Sequence, residues 1–256
     1  TTLFVAGAVI FLLTYLAIAF ERRLPIDKTA AALFGSSLML VLVLRKSPDE
    51  MALGAYSRYV RFDVVFLLIG MMVIVHLLSR TGVFQYLAIK CVKAGRGQPP
   101  KVLGLLVVVT ALSSAFLDNV TTVLLIAPMA LLVAEQMRLN PIAFLVPVAL
   151  ASNIGGTATM IGDPPNILIG NYVDGIAFVD FLAVLAPFVL LFLGAFVVVL
   201  LVVARRRMRI TAEDRARIMD LDESRALTDV PLLKKSLAVM GCTLVGFLLH
   251  TRLHLE

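Results

Sequence analysis

Apolar residues run along this chain in long uninterrupted blocks, separated by short basic or mixed-charge segments. Six blocks stand out: Thr2 to Phe20, Thr29 to Leu44, Val64 to Ser79, Val102 to Ala134, Ile142 to Tyr172 and Phe181 to Ala204; a seventh opens near Leu237. A run of about 20 residues with few charges matches the hydrocarbon thickness of a bilayer, so the blocks read as membrane-spanning helices. The fourth and fifth are too long for one plain span and carry polar residues at their centres, the pattern of a broken or re-entrant helix.

Composition agrees. The chain is 60% hydrophobic and 16% charged, with a mean hydropathy of +0.98, whereas a soluble domain is about a quarter charged. The net charge of +6 does not point to nucleic acid, because the basic residues lie in short segments between apolar blocks instead of forming one face. Thr2 to Phe20 has no basic flank before it and no small-residue cleavage site after it, so it reads as a span and not a signal peptide. A first residue Thr1 and a last stretch His254-Leu255-Glu256 just past an apolar block are what a segment of a longer protein would have.

Basic residues of short loops stay on the cytoplasmic side. Arg205, Arg206, Arg207 and Arg209, followed by Arg215, Arg217, Lys234 and Lys235, place that loop in the cytoplasm and the N-terminus outside; the Asp174 to Asp180 loop, with no Lys or Arg, is external. The Glu21 to Lys28 and Arg80 to Lys101 loops fit as cytoplasmic. The Arg45 to Arg61 loop is an exception, external yet basic. Thr81 to Gly97 is half polar and reads as an interfacial helix. Thr211 to Pro231, rich in both charges, reads as a solvated linker.

Arg23-Leu24-Pro25-Ile26-Asp27 and Arg252-Leu253-His254-Leu255-Glu256 follow the first and seventh blocks at matching places. An odd number of crossings separates them, so the second copy enters from the opposite side, as in the inverted repeats of transporters. The expected organisation is a first transmembrane repeat over 1–204, a cytoplasmic linker over 205–235 and the start of a second repeat over 236–256.

Two polar centres carry the chemistry. The first, Ser113 to Thr122, holds Asp118, Asn119, Thr121 and Thr122 in apolar surroundings, where an unpaired charge costs at least ~3 kcal/mol. A helix starting near Val120 offers free N–H groups to an anion, with Asn and Thr assisting. The second, Ser152 to Asn166, holds Ser152, Asn153, Gly155, Gly156, Thr157, Asp163 and Asn166. Gly155-Gly156 permits torsions a helix does not use, and Pro164-Pro165 suits the first turn of a new helix, so the backbone is expected to unwind between them. Freed carbonyls and the side-chain oxygens of Asn119, Ser152, Asn153 and Thr157 are hard ligands suited to Na⁺, while a carboxylate at this depth could carry a proton instead.

Purely structural roles stand beside these. Asn and Thr can bond between helices, Gly and Pro can kink them, and Asp118 can simply cap the following helix. His76 lies within the third block, where it could relay protons or bond a neighbouring helix. His250 and His254 have i, i+4 spacing without the acid of a zinc-protease motif, and Cys91 and Cys242 have no metal-like spacing, so packing is the simpler reading. No catalytic signature is present; no enzyme, bound cofactor or nucleic-acid partner is expected.

Ser114-Ala115-Phe116-Leu117-Asp118-Asn119-Val120-Thr121-Thr122, Asn153 to Ala158 and Ile161-Gly162-Asp163-Pro164-Pro165-Asn166 resemble the signatures of the ArsB/NhaD branch of the ion transporter superfamily. That branch includes arsenite permease-like proteins, NhaD-type sodium/proton antiporters and the melanosomal P protein. The resemblance implies an all-α polytopic fold with inverted repeats, a cytoplasm-entering re-entrant hairpin over about 102–134 and a broken transmembrane helix over about 142–172. It also implies a homodimer and a full-length protein about twice this size, completed by a second repeat in the same or a separate chain. The expected function is Na⁺- or H⁺-coupled transport of a small inorganic or organic ion across the plasma (inner) membrane. The alternatives are a P-protein-like anion channel and an Na⁺/H⁺ antiporter without a separate substrate. Arsenite is not specially favoured, because no cysteine lies near either centre to bind As(III) as a thiolate.

Overall fold

A helix satisfies its backbone polar groups within itself, which is why an apolar chain of this kind folds as helices. The computed structural model describes residues 2–21, 23, 26–46, 62–173, 178–208, 210–223 and 226–253, and every regular element among them is helical. Most of the Arg45 to Arg61 and Asp174 to Asp180 loops, Leu24 and Pro25 of the first repeat copy, and His254 to Glu256 of the second lie outside the described residues.

The chain divides into two units, Thr1–Asp63 and Val64–Glu256. In the first, α1 (Thr2–Ala19) and α2 (Lys28–Lys46) form an antiparallel pair. Their closest approach is at Gly35, where a Cβ would collide with the Thr14 side chain. Asp27 caps α2, accepting from Thr29 N at 2.7 Å.

The second unit begins within α3 (Phe62–Arg80), which is followed by α4 (Val83–Ala94) with a bend of 59° between them. It continues through α5 (Pro99–Ser114), α6 (Asn119–Gln136), α7 (Ile142–Gly156), α8 (Pro164–Tyr172), the 30-residue α9 (Phe178–Arg207), the short α10 (Ala212–Met219) and α11 (Val230–Leu253). The core lies where α5 packs on α7, α6 and α9, filled by fully buried Val102, Leu103, Leu106, Val107, Phe144, Val148 and Ala151. Among the described residues three helices, α6, α9 and α11, are long and apolar enough alone to cross a membrane, and the bent α3–α4 pair would make a fourth. Helices α1, α2, α5 and α7 are apolar but shorter; α5 and α7 stop early because each ends at one of the polar centres.

The segment read as a solvated linker is largely exposed and is docked along the ends of α3, α4 and α6. The positive-φ residues of the described chain are Gly82, Arg96, Gly97 and Arg138, and the 210–229 segment sits against all of them. Arg215 Nε donates to the Arg96 carbonyl at 2.7 Å, and Gly97 faces the Arg215 and Met219 side chains. Arg138 Nε lies 3.5 Å from the buried Asp214 carboxylate, and a Cβ on Gly82 would strike the Ala226 carbonyl. Thr228 closes the seam, its hydroxyl donating to Arg80 O at 2.8 Å and its N–H to Thr81 O at 3.0 Å. The left-handed residues close the ends of their own helices, Gly97 N bonding Val92 O and Leu139 N bonding Ala134 O, and the segment adds bonds to the carbonyls of Arg80, Thr81 and Arg96 just beyond. A charge count along the sequence gives no sign of such docking.

Glu223 fastens this strap to α4, with Lys93 Nζ at 2.5 Å and Lys90 Nζ at 3.4 Å. The hydrogen-bonded Lys93 ammonium, and then Lys90, hold the Glu223 carboxyl below its ordinary value of 4.5. A depressed folded-state pKa contributes stability above the ordinary value and loses it as pH falls through the folded one. Glu223→Gln is therefore expected to speed proteolytic cleavage within 210–229 at neutral pH. The wild type should approach the same rate below pH 4.5, and also at high salt, because the pair is partly exposed. Equal cleavage rates for the two proteins at pH 7 and low salt would remove the clamp.

Candidate functional site

Both polar centres are helix interruptions. α5 ends at Ser114, four residues follow without helix, and α6 starts at Asn119. Asp118 is the cap of α6: it is extended (φ −64°, ψ 153°) and its Oδ1 accepts from Thr121 N at 2.9 Å. The free N–H groups expected to hold an anion at this helix start are thus partly taken by a carboxylate of the same chain.

The second interruption runs from Thr157 to Asp163. Pro164 and Pro165 occupy the first turn of α8, where their missing N–H groups cost nothing. Asp163 stands at the cap position with φ −145° and ψ 130°, but its side chain caps nothing. The residue is half-buried, and its carboxylate forms no hydrogen bond or ion pair among the described residues.

The glycines act differently from the expectation. α7 continues through Gly156, and neither Gly155 nor Gly156 has a positive φ. Their use is close approach: a Cβ on Gly155 would collide with the Ala111 carbonyl of α5, and one on Gly156 with Asn119 Oδ1. Gly162 lies as close to the carbonyls of Gly156 and Ser114. Unwinding therefore begins at Thr157, one residue after the glycine pair.

These contacts bring the two interruptions together around Asn119. Ser114 Oγ donates to Asn119 Oδ1 at 2.8 Å, and Ser152 Oγ donates to the Asn119 carbonyl at 3.3 Å. Ser114 and Ser152 are fully buried, as is Thr122, whose hydroxyl has no hydrogen-bond partner among the described residues. Asn119, Ser152, Gly155 and Gly156 thus meet in one place. Asn153, exposed on α7, and Thr157, exposed just past its end, both bond back to that helix, Asn153 Nδ2 to Ala149 O at 2.9 Å and Thr157 Oγ1 to Asn153 O at 2.8 Å. Asn166 braces the second interruption, its Nδ2 donating to Thr159 O at 3.0 Å. Of the lower-ranked candidates, His76 is exposed on α3 and His254 is outside the described residues.

Two participants were not singled out from the sequence. Ser114 is the partner of Asn119, and Thr159 crosses between the interruptions, its hydroxyl donating to the Ala115 carbonyl and accepting from Gly162 N at 3.1 Å. A hydroxyl flanked by Gly156 and Gly162 was the available signal. The donor set is almost wholly oxygen: hydroxyls, an amide, freed carbonyls and a carboxylate. Such a set suits a hard monovalent or divalent cation, or a proton, and not a soft metal.

Residues 15–256 match the model of a family described as citrate transporter (CitMHS). An uncharacterized transporter of Mycobacterium bovis is 44% identical over 254 residues, 98% of this chain and 57% of that protein. A 46 kDa membrane protein of Mycobacterium leprae is 42% identical over 250 residues, again 98% and 57%. The P protein of Homo sapiens is 39% identical over 144 residues, 56% of this chain and 17% of the P protein. The chain spans a little over half the length of the mycobacterial relatives. With apolar helices of membrane length and a family match over nearly all its residues, the chain belongs to the CitMHS citrate transporter family, in the ArsB/NhaD branch of the ion transporter superfamily, and is an integral membrane protein and not an enzyme.

Proposed function

We propose that the junction at Asn119 is one transport site of a secondary transporter that couples a small carboxylate anion, of the kind the family description names, to Na⁺ or H⁺. The observation that carries this reading is the meeting of two interrupted helices at a set of buried oxygens. α5 has 16 residues and α7 has 15. At about 1.5 Å per residue they reach about 24 and 22 Å, short of a hydrocarbon core of about 30 Å. A helix starting at either membrane surface therefore stops at depth, α5 in a re-entrant hairpin and α7 as the first part of a broken span.

Charge decides in favour of coupling. Asp118 and Asp163 bring carboxylates to the two interruptions, so a lone anion entering there is repelled. A cation bound by freed carbonyls, Asn119, the hydroxyls of Ser152 and Thr122, and further out Asn153 and Thr157, offsets that repulsion. Protonation of Asp163 would do the same. The Arg205-Arg206-Arg207 end of α9 faces the cytoplasm in this reading, with the N-terminus outside. A second repeat would complete the site, and the transporter would be a homodimer.

The test is uptake by the full-length protein in proteoliposomes, with citrate and other di- and tricarboxylates against imposed Na⁺ and pH gradients. Accumulation above the outside concentration is expected under one of the two gradients; a channel would only equilibrate its ion. Asp163→Asn is expected to lower gradient-driven uptake at least tenfold while the protein still inserts and melts near the wild-type temperature. Uptake unchanged in that variant would remove the role given to Asp163.

Gly155→Ala tests the packing behind the site. Its methyl must push against the Ala111 backbone, an overpacking that costs about 1–3 kcal/mol, so both thermal stability and uptake should fall. Gly241→Ala, where nothing lies within 4 Å of the added carbon, is the control and should be silent.

A further inference from the structure

Every helix interruption leaves backbone groups without their i, i+4 partners. In a continuous helix the Ala115 carbonyl would accept from residue 119, but Asn119 opens a new helix. The Gly162 N–H would donate to residue 158, but the chain is unwound there. The two groups lie in interruptions that are remote in sequence, and one hydroxyl serves both: Thr159 Oγ1 donates to Ala115 O and accepts from Gly162 N. Thr159 is 1% exposed, so no bulk water competes for either bond. Its own carbonyl takes the Asn166 amide, which fixes the residue from a third direction.

The other links between the interruptions are of a different kind. Ser152 reaches Asn119 at a longer 3.3 Å, and Gly156 and Gly162 contribute contact without a bond. Thr159 is the side chain that replaces a lost helix bond on both sides. We propose that Thr159 is the positioning residue of this site, the link that holds the two interrupted helices in register so that Asn119 faces Ser152 and Gly156, and through which movement at one interruption is passed to the other. The structural part stands on the geometry alone; its effect on transport rests on the function proposed above.

Hydrogen–deuterium exchange of the full-length protein in detergent or nanodiscs separates the two. In the wild type the Gly162 amide should be protected, and free exchange there would overturn the inference at once. Thr159→Val keeps the shape and removes both bonds, and should speed exchange at least tenfold in peptides covering 115–122 and 157–166 together. Thr159→Ser keeps the hydroxyl and should stay within about twofold of the wild type. Loosening confined to 157–166 would make Thr159 a local turn residue and overturn the link. If the Val variant does not accumulate, Thr159→Ala, which leaves a void and not a clash, is read by the same criterion. In proteoliposomes the Val variant should raise the KM for coupling cation and carboxylate at least tenfold with a smaller change in maximal rate, and Ser should restore it. Loosening of both segments with unchanged uptake kinetics would uphold the link and overturn the transport reading of the site.

Discussion

A backbone N–H or C=O left without a partner in apolar surroundings costs several kcal/mol, and this chain interrupts two of its most deeply packed helices. That constraint shapes the whole second unit. Each interruption answers it with groups from the other or from its own cap: Asp118 takes Thr121 N, and Thr159 joins Ala115 O to Gly162 N. Neither interruption is satisfied alone. The site is therefore a consequence of pairing two costly features, and it exists only while they are in register.

Pairing at hydrogen-bond distance sets a second requirement, that the backbones come closer than side chains ordinarily allow. Gly155, Gly156 and Gly162 meet it by having no Cβ. Behind them Phe144, Val148 and Ala151 on α7 and Val102, Leu103, Leu106 and Val107 on α5 are fully buried, forming a rigid wall. Close-packed interiors transmit strain instead of absorbing it, so a side chain added at these glycines has little room to be accommodated.

Hydropathy made the helices legible in the sequence, because block length and apolar content alone decide which segments can be spans. The interruptions were legible too, since an acid, an amide and paired prolines have no cheap place inside an apolar helix. What could not be read was partnership. Glycine at 155–156 signals both unusual torsions and close approach, and the two are told apart only by seeing Ala111 and Asn119 opposite. Thr159 looks like any threonine until Ala115 is placed beside it. The docking of the 210–229 segment was not legible for a related reason: charge patterning reports solvation of an isolated segment, and most of its residues are exposed, whereas its contacts fall at left-handed residues such as Arg96, Gly97 and Arg138 that composition does not encode.

The strap and the site handle polarity in opposite ways, and the difference bears on function. At the strap, acids are consumed by structure: Glu223 is held by Lys93 and Lys90, Asp214 by Thr211 and Arg138. At the junction the frame is held by hydroxyls, amides and a local cap, and the Asp163 carboxylate is left with no partner among the described residues. A frame held by salt bridges would have spent its acids and kept no net charge with which to attract a cation. A frame of neutral bonds leaves one half-buried carboxylate with no partner among the described residues. In the function proposed above, that carboxylate is the group a coupling cation or proton would pair with.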